Sequence, residues 1–371
     1  MVFLAAVAVA CHTPRASMPA VDRARLVVVG DVVLPALNGR DKPRVDVGGL
    51  SGAFYDSRRK RLYAVSDDRQ RPRVLGFDVN LGSSVSLVKR ELIPLQPPPG
   101  ARRTLDAEGL APAPNGHWFV SSEGDQRGQE QSLAGIHEYT RDGKFVRTLP
   151  LPPPYLSGSG ATPSGMRLNL SLEALSASPD GRWLFAGLES SLLQDGPAAN
   201  FERGAVVRLL VYDLRNAAAA PREYVYLTDS MPRPAAWKPT DGDAGVVDVL
   251  ALGSTELLVL ERGYVVEDPT PTSRRESAIR IYRVRLDPTA EVTGRDSLAD
   301  RPPGALLKKE LVLDLAAIGP ELNPRLRSLE NFEAIALGPR LRDGSTTVLL
   351  LSDDNFSPSQ VTALVALRFS R

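Results

Sequence analysis

Residues 105–124, LDAEGLAPAPNGHWFVSSEG, constrain the fold more than any other stretch, because the chain carries four further imperfect copies of them. Glu108 opens the unit and Glu123 closes it, with an apolar run, a Pro-Asn-Gly turn and a second apolar run between them. Two such runs around such a turn predict a hairpin, which brings both glutamates to the same end. In the copy at 48–69 Ser51 replaces the opening acid and Asp67 with Asp68 closes. The copy at 171–190 has Glu173 and Glu189, and the copy at 245–263 runs from Asp248 to Glu261 and Arg262. The last, at 329–355, has Glu333 and then Asp353, Asp354 and Asn355.

Each copy is followed by two further strand-like runs, except the last, which has one. The β-branched stretch at 24–35, ARLVVVGDVVLP, has no partner before it and can supply the missing strand. Four-stranded repeats closed by the first strand of the chain predict an all-β fold, a β-propeller of five blades. Uneven spacing between the copies leaves room for a sixth. No long amphipathic helical pattern competes, so residues 21–371 read as a single domain.

The first ten residues, MVFLAAVAVA, are apolar but far short of a membrane span, and Cys11, the only cysteine, follows at once. With Ala8, Val9 and Ala10 before it, Cys11 resembles the lipid-modified cysteine of a bacterial lipoprotein signal peptide. That implies an exported protein, in the periplasm or on the outer membrane, touching a membrane only through its lipid, with residues 12–20 as tether and no disulfides. The alternative is a frayed apolar end with an incidental thiol. Lys plus Arg (45) balances Asp plus Glu (44), so nothing points to a nucleic-acid partner.

In a propeller the repeated acids form a ring at one mouth: Glu108, Glu173, Asp248 and Glu333 on the innermost strands, and Asp67, Glu123, Glu189, Glu261 and Asp353 on their neighbours. Such a ring repels itself unless a cation compensates it. An all-oxygen set in irregular loops suits Ca²⁺, whereas three histidines and one cysteine supply zinc poorly. Singly, such acids also serve as caps of turns and strands. Arg262, and Arg167 with Asn169, can bring anion-binding donors to the same mouth or pair with adjacent acids. No G-x-S-x-G, P-loop or H-E-x-x-H motif is present.

The runs GGLSGAFYDSRRKRLYAVSDDR, LDAEGLA with SSEG, RLNLSLEALSASPDGRWLF, LVLER, and NFEAIALGP with LLLSDDNF resemble, in this order, the phytase-like family, described by an esterase-like activity of phytase. The resemblance implies a propeller whose repeated acids form a phosphoester-hydrolysing site. On that basis Glu108, Glu173, Glu261 and Glu333 are the candidate catalytic acids, and Arg167, Asn169 and Arg262 the substrate-binding residues. Asp67, Asp68, Glu123, Glu189, Asp353, Asp354 and Asn355 are the candidate calcium ligands. The function implied is metal-dependent hydrolysis of a phosphorylated small molecule or phosphodiester. The alternative is a non-catalytic, calcium-stabilised, surface-anchored propeller that binds a ligand or protein. The Glu-Gly pair of the unit becomes Glu173-Ala174 and Glu333-Ala334, which removes backbone freedom at those places.

Overall fold

The computed structural model describes residues 25–34, 47–101, 104–124, 134–156, 163–216, 218–268, 270, 273–326 and 329–370. The leader, Cys11 and the tether lie outside the described residues.

Strand β1 (Leu26–Val33) opens the described chain, and blade 1 follows as β2 (Leu50–Asp56), β3 (Arg61–Ser66), β4 (Arg73–Leu81) and β5 (Val85–Pro94). Blade 2 is β6 (Ala107–Pro112), β7 (Trp118–Ser122), β8 (Gly135–Tyr139) and β9 (Phe145–Thr148). Blade 3 is β10 (Leu172–Ala177), β11 (Trp183–Leu188), β12 (Val206–Asp213) and β13 (Arg222–Leu227). Blade 4 is β14 (Asp241–Ala251), β15 (Glu256–Val266), β16 (Arg275–Arg285) and β17 (Lys309–Asp314). Blade 5 is β18 (Asn331–Leu337), β19 (Thr347–Asp353) and β20 (Ala363–Phe369), with β1 as its outermost strand.

All five sheets are antiparallel and four-stranded, so the chain is a five-bladed β-propeller. β1 pairs with β20 from Leu26↔Phe369 to Val33↔Ala363, closing the ring with the strand nearest the N-terminus. Strand alternation gives each blade two apolar faces, and the core lies between blades. Tyr63, Leu110, Trp118 and Tyr139 pack together where blades 1 and 2 meet, and Ala334, Leu349, Leu62 and Phe77 do so where the ring closes.

One irregularity recurs in every blade. The pairing of the two innermost strands slips at Leu50/Ala53, Ala107/Leu110, Leu172/Ala174, Val246/Asp248 and Phe332/Ala334. A bulge turns the side chain it carries away from the regular alternation. Here it does so at the same end of all five blades, the end where the innermost strand begins.

The innermost strands also approach one another too closely for side chains in places. A Cβ on Gly52 would lie 2.5 Å from Gly109 Cα, and one on Gly109 would lie 2.6 Å from the Glu173 carbonyl oxygen. Neither glycine has a positive φ. Space between blades, not the backbone freedom expected from the sequence, is what the Glu-Gly pair supplies. Ala174 and Ala334 stand at the corresponding bulges of blades 3 and 5, so those places accept a methyl group.

Candidate functional site

The bulges place Ser51, Glu108, Glu173, Val247 and Glu333 at one level of the channel mouth, in blades 1 to 5. Blade 4 therefore departs from the expected alignment. Asp248 sits one residue beyond the bulge and is buried, accepting hydrogen bonds from the amides of Val249 at 2.8 Å, Ile335 at 2.9 Å and Leu175 at 3.4 Å. It ties three blades together below the mouth instead of belonging to the ring of acids.

The second ring shows the same one-residue displacement. Asp67, Glu123, Glu189 and Asp353 stand at equivalent positions in blades 1, 2, 3 and 5, and the equivalent residue in blade 4 is Arg262, not Glu261. Adjacent strand residues face opposite ways. Glu261 accordingly turns from the ring and accepts hydrogen bonds from Lys309 Nζ at 2.7 Å, the Asp229 amide at 2.8 Å and the Tyr226 hydroxyl. Arg262 turns toward the acids. Its guanidinium donates to Asn331 Oδ1 at 2.8 Å, Glu189 Oε1 at 3.0 Å, Asp243 Oδ2 at 3.4 Å and Glu333 Oε1.

One carboxylate oxygen each of Asp106, Glu108 and Glu123 lie within 4.8 Å of one another, and so do those of Glu123, Glu173 and Glu189, the last of which reaches Arg262. Asp106 was not singled out in the sequence. It stands two residues before Glu108 in the unit, and its oxygen lies 2.6 Å from Arg69 Nε. Ser51 Oγ donates to Glu108 Oε2 at 2.9 Å, and the Ser171 amide donates to Glu123 Oε1. The Glu173 carbonyl accepts from the Ser121 hydroxyl at 2.8 Å, while its carboxylate accepts from no described residue, and Asp67 Oδ1 is buried without a hydrogen-bond donor.

This crowding holds protons. Burial, followed by the charges of neighbouring acids, raises Glu108, Glu173 and Asp353 well above the ordinary carboxylate range. Burial, and then Asp243, does the same for Glu189. Burial also takes Asp67 and Glu123 up to about 7. Burial raises Glu333 too, against the pull of Arg262. For Arg262 burial disfavours the charge, but Asp243, Glu333 and Glu189 outweigh it and keep the guanidinium protonated.

The remaining candidates lie around this centre. Asp68 pairs with Arg71 and Arg73 at 2.8 and 2.9 Å, outside the cluster. Arg167 donates to the carbonyls of Ser191 and Gly196 at 2.9 and 2.6 Å, which holds a loop together. Asn169 accepts from Arg69 at 3.2 Å, linking the loop before β10 to the arginine that serves Asp106. Asp354 accepts from the Gly49 amide and from the Thr362 hydroxyl, each at 3.0 Å, joining blade 5 to blade 1. Asn355 is an exposed rim residue.

Backbone strain collects at the same rim. Of the described non-glycine residues with positive φ, Asn169, Leu329, Asn355 and Phe356 are in mouth loops, and Lys60 alone is at the far end. Such conformations cost about 1–3 kcal/mol each and cluster where a surface has a task beyond stability.

The all-oxygen donor set fits a hard cation. Ligands about 2.4 Å from Ca²⁺ are at most about 4.8 Å apart, which both triads satisfy. Glu189 and Glu333 have Arg262 as counter-charge and Asp106 has Arg69, which leaves Glu108, Glu123 and Glu173 as the acids a metal bound beside Asp106 would neutralise.

A model of the phytase-like family, described as esterase-like activity of phytase, matches residues 45–356. Among curated proteins no sequence match is found. Similar solved structures include the PQQ-bound aldose sugar dehydrogenase of Streptomyces coelicolor, at 11% identity over 94% of this chain and 98% of that one, with a TM-score of 0.39. Another is the endo-arabinase of Bacteroides thetaiotaomicron, at 10% identity over 88% and 95%, with a TM-score of 0.43.

Proposed function

The chain belongs to the phytase-like family, and from that premise we propose that its acidic mouth is the active site of a metal-dependent phosphoester hydrolase. The observation that carries this reading is the division of the mouth. Carboxylates from blades 2 and 3 stand within chelating distance of each other, facing an arginine from blade 4.

In this reading Asp106, Glu108 and Glu123 hold the cation, with Glu173 and Glu189 beside them. Calcium bound there supplies positive charge that polarises the phosphoryl oxygens and offsets the repulsion among the acids. Arg262 binds the anionic end of the substrate, its planar fork matching a phosphate better than a lysine does. Asn331 fixes that fork, accepting from Arg262 while donating to Glu333 at 2.9 Å. Glu173, whose carboxylate accepts no hydrogen bond from the described residues, is the proton carrier. It gives its proton to the departing ester oxygen and takes one from the water that enters at phosphorus. The expected substrates are a phosphorylated small molecule or a phosphodiester.

The test is hydrolysis of p-nitrophenyl phosphate and bis-p-nitrophenyl phosphate with Ca²⁺ and with chelator. Turnover should require the metal, fall about 100-fold or more in Glu173→Gln, and show a raised KM in Arg262→Lys. If calcium raises the melting temperature while neither ester is cleaved, the hydrolase reading fails and the non-catalytic binding propeller replaces it.

A further inference from the structure

We propose that the end of the propeller opposite the acidic mouth docks on an anionic lipid surface, so that the mouth faces away from the membrane. This holds whether or not the mouth is catalytic. The strand pairing fixes the geometry. β1 begins with Leu26 opposite Phe369, and β19 begins with Thr347 opposite Arg368. The chain therefore enters blade 5 at the end that carries the turn at 338–346, far from Glu333 and Asp353. Blade 1 turns at 57–60 on the same end, remote from Ser51 and Asp67.

That end is basic. Arg25, Arg58, Lys60, Arg340 and Arg342 are exposed there, and none of their side chains pairs with an acid among the described residues. The local acids are engaged, Asp56 with Arg59 at 3.0 Å and Asp343 with Arg368 at 4.0 Å. The whole chain has a formal charge of only +1, while the mouth gathers acids from every blade. Positive charge is thus displaced toward the far end, and an anionic layer attracts that end and repels the other. Residues 1–24, which include the apolar leader and Cys11, join the described structure at Arg25, one of these basic residues. Membrane attachment becomes stable when an apolar or lipid anchor is combined with a basic patch.

The experiment uses the full chain carrying Cys11→Ser, so that no lipid is attached and the leader is the same in every sample. Co-sedimentation is measured with phosphatidylcholine vesicles and with vesicles containing 30% phosphatidylglycerol. The phosphatidylglycerol vesicles should bind the protein more tightly, and the gain should disappear as salt is raised. Combining Arg58→Glu, Lys60→Glu, Arg340→Glu and Arg342→Glu should weaken binding to them at least tenfold without changing the melting temperature by more than a few degrees. A fluorophore on Ser83→Cys, in the far-end turn of blade 1, should be quenched by nitroxide headgroups, and one on Asn355→Cys at the mouth should not. Equal binding to both vesicle types, an unchanged affinity in the folded quadruple variant, or the reverse quenching pattern overturns the proposal. Capture by soluble heparin without binding to vesicles overturns it as well.

Discussion

Glu261 and Arg262 are neighbours in β15, yet one is anchored between blades and the other points into the acid ring. Their contrast shows why residue identity alone misplaced the fourth copy. The sequence displays an acid near the expected position, and only the pairing partner decides which of two adjacent side chains faces the channel. Asp248 is the parallel case on β14. Because its carboxylate accepts three backbone amides, Asp248→Ala should destabilise the protein by about 3 kcal/mol in denaturant unfolding. Asp248→Asn, which keeps the shape and one acceptor, should lose less. In neither variant should the melting shift produced by calcium change, since Asp248 is outside the acid ring.

His137 makes a second prediction at this scale. It is buried in blade 2, with Nδ1 2.9 Å from Thr148 Oγ1, and burial pushes its pKa down to about 4. The unfolded chain takes up the proton near pH 6.5. Stability from this site is therefore complete above pH 6.5 and declines as pH falls toward 4, by about 2 kcal/mol at pH 5. Unfolding of the native protein and His137→Gln at pH 7.5 and pH 5 measures it. The native protein should show the larger loss, and equal losses would assign the acid sensitivity to other groups.

The element that organises the site is the bulged hairpin. Five bulges at one level lift side chains into the mouth, and the adjoining glycines let the inner strands meet. Gly109→Ala should cost roughly 2 kcal/mol or more, because the new methyl group meets the Glu173 carbonyl, which cannot swing aside as a side chain could. Gly253→Ala is the control. Its Cβ would have nothing within 4 Å, so the change should be near neutral. Thermal unfolding of the two variants separates a spatial requirement for glycine from a general effect of adding a methyl group. The hairpins were legible in the alternating runs and turn residues. The bulges were not, since an extra residue in one strand is defined only against its partner.

For the whole molecule, closure and charge dominate. Removing residues 1–33 would leave β20 with an open edge and blade 5 with three strands. The shortened chain should aggregate on size-exclusion chromatography, as uncovered edges do. A peptide spanning 24–35 added during refolding should recover monomer. Calcium at about 100 times its Kd should stabilise the native chain by about 2.7 kcal/mol, read as a rise of a few degrees in Tm. Glu123→Gln, which alters the acid shared by both oxygen triads, should remove most of that rise. No shift in the native chain would remove calcium from the mouth.

The sequence by itself determined the four-stranded repeat, the closing role of the first strand and the end of the ring at which acids collect, and the strand pairing fixed the number of blades at five. The first three follow from runs, turns and their repetition along the chain, and are local. The tertiary structure decided which acids meet. It brought Asp106 into the cluster, moved Asp248 below it, turned Glu261 aside and set Arg262 among the carboxylates. A pleated strand gives neighbours opposite faces, and one bulge reverses the assignment, so membership in the site depends on how strands are paired across blades.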